Sequence, residues 1–208
     1  MKEQKLPTKK ISFGIDEKFV PLILFFFTFL TYAPLISQIG FYWDDWPMLW
    51  FKITQGAEGF AEAFTSDRPF LGNLYQATAE ILGDAPLQWQ ALTIFMRWAV
   101  SIAFWWMLKQ LWPKQSEYVF WITLMATVYS GFKQMPIAYL WANALIMLFA
   151  YVLSYGMMLK AIRSSSRKAY VLWTIPSVLC YTFCTISTEY YTGLDIARGA
   201  ILLVFFAG

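Results

Sequence analysis

Two adjacent carboxylates, Asp44 and Asp45, lie within the aromatic segment Phe41–Pro47, FYWDDWP. The segment follows an apolar stretch long enough to cross a membrane, so both side chains are expected at a membrane exit, where a charged group carries a desolvation cost. One interpretation is an aromatic belt, in which Trp43 and Trp46 lie among lipid headgroups and the aspartates are simply hydrated. The other is a catalytic or cation-binding carboxylate pair at the membrane face.

The spacing of Asp44 and Asp45 bears on how they could share the chemistry. Neighbouring side chains on a helix diverge by about 100°, so the two are not expected to share one proton. We expect one carboxylate to take a proton from an acceptor hydroxyl while the other orients that hydroxyl or helps to hold a cation. A structural alternative applies to Asp45, because Pro47 can begin a surface helix with Asp45 near its N-cap. A purely capping Asp45 would tolerate replacement by Asn.

The segment that follows supplies a cation beside the same membrane face. Arg68 lies between Asp67 and Pro69. Arginine presents a planar fork of donors that matches the geometry of a phosphate, and lipid phosphates are available at a membrane face. Arg68 is therefore a candidate phosphate ligand. The alternative is a local pair with Asp67 or general binding of headgroups.

A third polar group follows the fifth apolar stretch, between residues 187 and 198. Its candidate substrate-binding residues are Glu189, Tyr190 and Arg198, and Asp195 lies among them. All four are expected on the side that carries Asp44 and Asp45. The alternative is that the tyrosines form an aromatic belt and that Arg198 only anchors the next helix.

The composition restricts the chemistry that the chain could perform. Of the 208 residues 59% are hydrophobic and 14% are charged, against about 25% charged in soluble domains, so we predict a membrane protein. The chain has no histidine, which excludes histidine triads and histidine metal ligands. A net charge of +3 is too small and dispersed to indicate nucleic-acid binding. No cofactor is identified, and the ligand count does not support a divalent cation. Cys180 and Cys184 are expected to pack in a helix.

The predicted fold class is an all-α integral membrane protein with about five full transmembrane helices and a truncated sixth. A span requires about 20 residues. The sixth stretch begins near Gly199 and reaches only Gly208, so we expect the N-terminal part of a longer domain, a truncated gene product, or a subunit completed by a partner. The five complete stretches are residues 19–39, 90–112, 118–136, 139–159 and 169–188.

The basic residues predict how the chain is oriented. If the spans alternate, eleven lysines and arginines fall on one side, which is then the cytoplasmic side of a bacterial-type plasma membrane. Residues 1–18 become a cytoplasmic tail and residues 19–208 a transmembrane helical module. Residues 40–89 become a long extracytoplasmic loop, in which amphipathic runs predict short helices on the membrane surface.

This arrangement resembles the GT-C superfamily of membrane glycosyltransferases. The resemblance is carried by the acidic pair that opens the first outer loop, by Arg68-Pro69, and by the stretch Glu189–Leu194 before Arg198. The bacterial members that it resembles are akin to the protein O-mannosyltransferases and the aminoarabinose transferases that modify lipid A. Many relatives carry another acidic residue in the second outer loop, whereas residues 131–143 contain none here.

The resemblance implies transfer of a sugar from a polyprenyl-phosphate donor to an acceptor on the outer face. It implies that Asp44 or Asp45 is the base, with Asp44 preferred, and that Arg68, or second Arg198, holds the carrier phosphate. The partners would be membrane lipids, the lipid-linked donor and other membrane subunits, without nucleic acid.

Two other functions fit parts of the sequence. A noncatalytic integral membrane subunit of a larger complex would explain the short length. A transporter or channel fragment would place ionisable residues within its spans, whereas the acids here are predicted at one surface. A cavity that joins the carboxylates to a lipid-facing groove would favour the enzyme over the noncatalytic subunit.

Overall fold

The computed structural model describes residues 14, 16–129, 131 and 135–207, and this part of the chain is helical without strands, which confirms the all-α prediction. Most of the predicted tail, residues 1–18, lies outside the described residues. The α-helices, in chain order, are α1 (Val20–Tyr32), α2 (Asp45–Gln55), α3 (Gly59–Ala63), α4 (Pro69–Leu82), α5 (Pro86–Leu111), α6 (Ser116–Thr127), α7 (Ala138–Ile162), α8 (Arg167–Ser187) and α9 (Leu194–Ala207).

Three helices, α5, α7 and α8, are long and apolar enough to cross a membrane. With 26 and 25 residues, α5 and α7 extend for about 39 and 38 Å at the α-helical rise, more than a hydrocarbon core of about 30 Å. Helix α7 packs along α5 on one side and along α8 on the other. These three helices are consistent with a membrane protein, and α7 lies at its centre.

Helices α1 and α6 are shorter than the apolar stretches that contain them. They have 13 and 12 residues, and they end at Tyr32 and Thr127, so the predicted spans 19–39 and 118–136 are not continuous helices. Part of the second stretch lies outside the described residues. Ala33 still has helical geometry, but Pro34 has no N–H to donate to the carbonyl oxygen of Leu30, so α1 does not continue.

Side chains from neighbouring helices satisfy the carbonyl groups at the end of α6. Arg97 of α5 donates to the carbonyl oxygens of Ala126 and Thr127 at 2.8 and 3.3 Å. The hydroxyl of Tyr32 donates to the carbonyl oxygens of Thr127 and Tyr129 at 3.1 and 3.2 Å. The last carbonyls of a helix have no partner within the helix, so these donors allow α6 to end where it does.

The segment between α1 and α5 forms three short helices that pack over the first turns of α7. Phe60 and Tyr75 of this segment pack on Tyr139 of α7, on which Trp89 of α5 also stacks, with ring centroids 3.7 Å apart. Thr78 donates to the side-chain oxygen of Asn143 at 3.0 Å. The segment is therefore attached to α7 by buried aromatic and polar contacts, while its position on a membrane surface stays a prediction.

Candidate functional site

Asp45 is fully buried, and four backbone N–H groups donate to its carboxylate. Oxygen Oδ2 accepts from Tyr42 at 3.2 Å and from Ala138 at 3.0 Å. Oxygen Oδ1 accepts from Tyr139 at 2.8 Å and from Leu140 at 3.4 Å. Residues 138–140 are the first turn of α7, whose N–H groups have no partner within the helix. Asp45 therefore caps a helix that begins 93 residues later in the chain.

This geometry corrects the expected capping role of Asp45. Asp45 is the first residue of α2 rather than its N-cap, and the helix that its side chain caps is α7. The positive end of the α7 dipole stabilises the carboxylate. Burial raises the pKa of Asp45, and the four backbone hydrogen bonds oppose that shift. A carboxylate has about four acceptor sites, so the four donors leave little capacity for a substrate proton.

Asp44 has a different environment from its neighbour. It is exposed, and although it occupies the N-cap position of α2 its side chain makes no capping hydrogen bond. The preceding residue, Trp43, has φ +46° and is 66% exposed. A bulky residue in the left-handed region is an outlier, and such strain persists only where surrounding contacts enforce it. The hydrogen bonds that join Tyr42 and Asp45 close the bend around Trp43, and Asp44 within it lies on the surface.

Arg68, Glu189 and Tyr190 come together although the first two lie 121 residues apart. Nε of Arg68 donates to Oε2 of Glu189 at 2.9 Å, and Nη2 donates to Oε1 of the same carboxylate. The guanidinium carbon lies 5.3 Å from the centroid of the Tyr190 ring, and Nη1 lies 3.3 Å from Asp67. Arg68 lowers the pKa of Glu189 by hydrogen bonding to its carboxylate. The arginine fork is thus engaged, and a phosphate would have to replace Glu189 to use it.

The groups around Asp45 and Arg68 lie within electrostatic range of one buried phenol, that of Tyr75. Burial raises the pKa of Tyr75, the charge of Asp45 raises it further, and the charge of Arg68 lowers it. Tyr75 belongs to α4, and Arg68 is the residue that precedes this helix. Tyr75 also packs on Tyr139, whose N–H donates to Asp45, so α4 connects the acidic segment with the Arg68–Glu189 pair.

Arg198 belongs to a different cluster, beside the second half of α7. Its Nη2 donates to Oγ of Ser154 at 2.9 Å, and its Nε lies 3.7 Å from Oδ1 of Asp195. The guanidinium carbon lies 4.3 Å from the ring centroid of Tyr155 and 4.5 Å from that of Tyr181. Because α9 begins beside this part of α7, Arg198 does not lie in the cluster of Arg68 and Glu189. This differs from the sequence-based expectation that Arg68 and Arg198 lie in one site.

Sequence reasoning missed the partners of Arg198. Tyr151 donates to Oδ1 of Asp195 at 2.5 Å, and Tyr181 donates to Oδ2 at 3.2 Å. Tyr151, Ser154 and Tyr155 are spaced three and four residues apart, so they share one face of a helix. That polar face within an apolar stretch is the signal that could have indicated the cluster.

The described helices leave an apolar groove and a second cavity between them, and neither is lined by Asp44, Asp45 or Arg68. The first, of about 310 Å³, is an apolar groove between α5, α6, α7 and α9, with Arg97, Tyr151 and Tyr155 among its lining residues. The second, of about 340 Å³, lies beside Tyr32 and Gln90. Among the described residues, no group of three or more cysteine, aspartate or glutamate side chains is placed to hold a metal ion.

No family model, curated protein or solved structure matches the chain. The assignment of function therefore depends on the residues and their geometry.

Proposed function

We propose that this chain is a membrane glycosyltransferase module that transfers a sugar from a polyprenyl-phosphate donor to an acceptor on the extracytoplasmic face. The observation that supports the proposal most directly is the unequal environment of the acidic pair. Asp45 is locked onto the first turn of α7, whereas Asp44 is exposed directly after the strained Trp43. An anchored residue beside an exposed one suits a site in which the scaffold fixes the position of a reactive carboxylate.

In this proposal Asp44 is the general base. It takes the proton from an acceptor hydroxyl, and the hydroxyl oxygen attacks the anomeric carbon of the donor sugar. The bond between that carbon and the carrier phosphate breaks, its electron pair leaves with the phosphate, and the configuration at the carbon inverts. Asp45 positions the base but does not touch the reacting atoms.

Arg68 is the proposed ligand of the leaving phosphate. Its side chain is 25% exposed and already makes a two-point contact with a carboxylate, Glu189. Because a phosphate presents similar paired oxygens, it can take the place of that carboxylate on the guanidinium fork. Glu189 then acts as a stand-in anion that the donor displaces, and the ring of Tyr190 keeps the guanidinium in place.

Arg198 is the second proposed phosphate ligand, at a deeper position. Tyr155, on which the guanidinium stacks, also lines the apolar groove of about 310 Å³. An isoprenoid chain is apolar and flexible, so a groove of this composition suits it. The two arginines define two alternative positions for the carrier phosphate.

Binding of polyprenyl phosphate to the purified protein distinguishes the two positions. Arg68→Lys keeps the charge but loses the fork, so we expect an affinity about tenfold weaker if Arg68 binds the phosphate. Arg163→Lys is the matched control, because Arg163 is exposed and lies over the ring of Phe205. Unchanged affinity in Arg68→Lys together with a loss in Arg198→Lys would move the phosphate site to Arg198. Unchanged affinity in both would remove the phosphate site from the proposal.

A noncatalytic membrane subunit is the second candidate function. Two observations favour it. Asp45 and Arg68 are both engaged by intramolecular partners, and Asp44 lines neither of the two cavities between the helices. Consumption of a polyprenyl-phosphate sugar by the reconstituted protein separates the two. An enzyme releases free polyprenyl phosphate and loses that activity in Asp44→Asn. A noncatalytic subunit gives equal signals in the unaltered protein and in Asp44→Asn.

A further inference from the structure

Four cations surround the turn between α7 and α8, in a segment of the sequence that contains no carboxylate side chain. Lys160 lies in the last turn of α7 and Arg163 is its C-cap residue, while Arg167 and Lys168 begin α8. Residues 157–188 contain no aspartate or glutamate. Among the described residues, none of the four makes an ion pair. This cationic turn therefore has a charge that the described part of the chain does not neutralise.

Two of the four cations, Lys160 and Arg163, lie over aromatic rings. Lys160 lies 4.4 Å from the ring centroid of Trp173, and the guanidinium carbon of Arg163 lies 4.8 Å from that of Phe205. Arg167 and Lys168 are exposed. A tryptophan beside basic residues at the end of an apolar helix is the arrangement found at a membrane–water boundary.

Arg167 and Lys168 stand at the end of an exposed apolar strip on α8. The strip comprises Val171, Leu172 and Ile175, which are 43%, 68% and 55% exposed. Together the five residues line one open groove of about 640 Å³. The groove is cationic at one end and apolar along the rest, which complements a molecule with an anionic head and an apolar tail.

We infer that this groove binds an anionic phospholipid, with the headgroup phosphate on Arg167 and Lys168 and an acyl chain along Val171, Leu172 and Ile175. Juxtamembrane lysines and arginines attract anionic lipids, and basic pockets beside spanning helices bind their headgroups. An acidic protein segment would use the two charges but would leave the apolar strip uncovered. A zwitterionic lipid would cover the strip but would leave the positive charge uncompensated. The inference does not depend on the proposed glycosyltransferase activity.

The position of the two cations makes a second effect measurable. Arg167 and Lys168 lie in the first turn of α8, where the helix dipole disfavours positive charge, and that turn contains no acidic residue. Replacing both with glutamine should therefore raise the melting temperature of the lipid-free protein while it weakens lipid binding. A variant that only unfolds the protein cannot produce this combination.

The test measures retention of phosphatidylglycerol and of phosphatidylcholine by the purified protein, by native mass spectrometry from detergent. We expect retention of phosphatidylglycerol over phosphatidylcholine, and an affinity for phosphatidylglycerol about thirtyfold weaker in R167Q/K168Q. R167K/K168R, which keeps both charges, should retain binding. K18Q/K114Q removes two other basic side chains with the same change in net charge, and it should also retain binding. Equal retention of the two lipids by the unaltered protein, or equal losses in R167Q/K168Q and K18Q/K114Q, would overturn the inference.

Discussion

The Asp45 carboxylate accepts hydrogen bonds from the N–H group of nearby Tyr42 and from N–H groups at the start of α7, far along the chain. The sequence could identify the acidic pair as unusual, because aspartates between tryptophans at a membrane exit need a reason. It could not divide the roles within the pair. That division depends on a contact across 93 residues, which no local pattern encodes.

Asp45→Asn should destabilise the protein. Asn is a good N-cap for a helix that begins at its own position, but Asp45 caps the distant helix α7. Both carboxylate oxygens accept N–H bonds, whereas an Asn side chain offers one oxygen and turns an NH₂ group toward the remaining donors. We expect a loss of about 1–2 kcal/mol for Asn and about 2–5 kcal/mol for Ala. Denaturant unfolding in mild detergent measures both. Asp44→Asn is the control, and an Asp45→Asn variant as stable as that control would contradict the capping role.

The Arg68–Glu189 pair makes a prediction about pH. Because Arg68 lowers the pKa of Glu189 below its ordinary value of 4.5, the folded state favours the ionised form. The stability from the pair is then present above pH 4.5 and is lost as the pH falls through the lowered pKa. Melting temperatures of the unaltered protein and of Glu189→Gln should differ by a constant amount near neutral pH and converge in acid. A difference that grows on acidification would contradict the pairing.

At the scale of the elements, hydropathy predicted the three long helices but overestimated α1 and α6. Apolar residues continue beyond Tyr32 and Thr127, so a hydropathy pattern has no reason to stop there. Helix α1 ends because Pro34 has no N–H to donate to the carbonyl oxygen of Leu30. Helix α6 can end where it does because Arg97 and Tyr32 supply donors for its last carbonyls. Donors from other helices are invisible to a pattern within one stretch.

The contact between α3 and α4 depends on a glycine. A Cβ atom on Gly72 would lie 2.6 Å from the carbonyl oxygen of Phe60 and 2.7 Å from Cβ of Phe64. Gly72→Ala must therefore separate the two helices, at an expected cost of about 1–3 kcal/mol in unfolding free energy. Gly199→Ala is the matched control, because that position, within α9, has nothing within 4 Å. Equal stability of the two variants would show that α3 and α4 are not packed as described.

At the scale of the whole molecule, α7 connects the parts that carry the proposal. Its first turn binds Asp45, its middle faces Tyr181 and Asp195, and its last turn carries Lys160 at the start of the cationic turn. The pattern of apolar and basic stretches predicts that the two ends of α7 lie on opposite sides of a membrane. The same pattern could not predict that Arg198 lies beside Ser154, because the position of α9 along α7 is set by contacts between the helices.

Cysteine accessibility tests the predicted orientation. Gln55 ends α2, whose first residue is bound to the start of α7, whereas Ser165 follows the end of α7; both are exposed. In sealed cells, a membrane-impermeant thiol reagent should label Gln55→Cys from outside and should label Ser165→Cys only after the membrane is opened. Cys180→Ala/Cys184→Ala supplies the background. Labelling of Gln55→Cys only after opening would reverse the orientation and remove Asp44 from the extracytoplasmic face.

The most direct test of the central claim, that Asp45 anchors the motif while Asp44 performs the chemistry, is a turnover assay of the two Asn variants in reconstituted membranes. The assay follows sugar transfer from a polyprenyl-phosphate donor, together with the melting temperature of each protein. A general base contributes about 10²–10⁴-fold to rate, so Asp44→Asn should lose that factor while its melting temperature stays unchanged. Asp45→Asn should melt lower and keep most of its turnover per folded molecule. Full transfer by Asp44→Asn would contradict the claim.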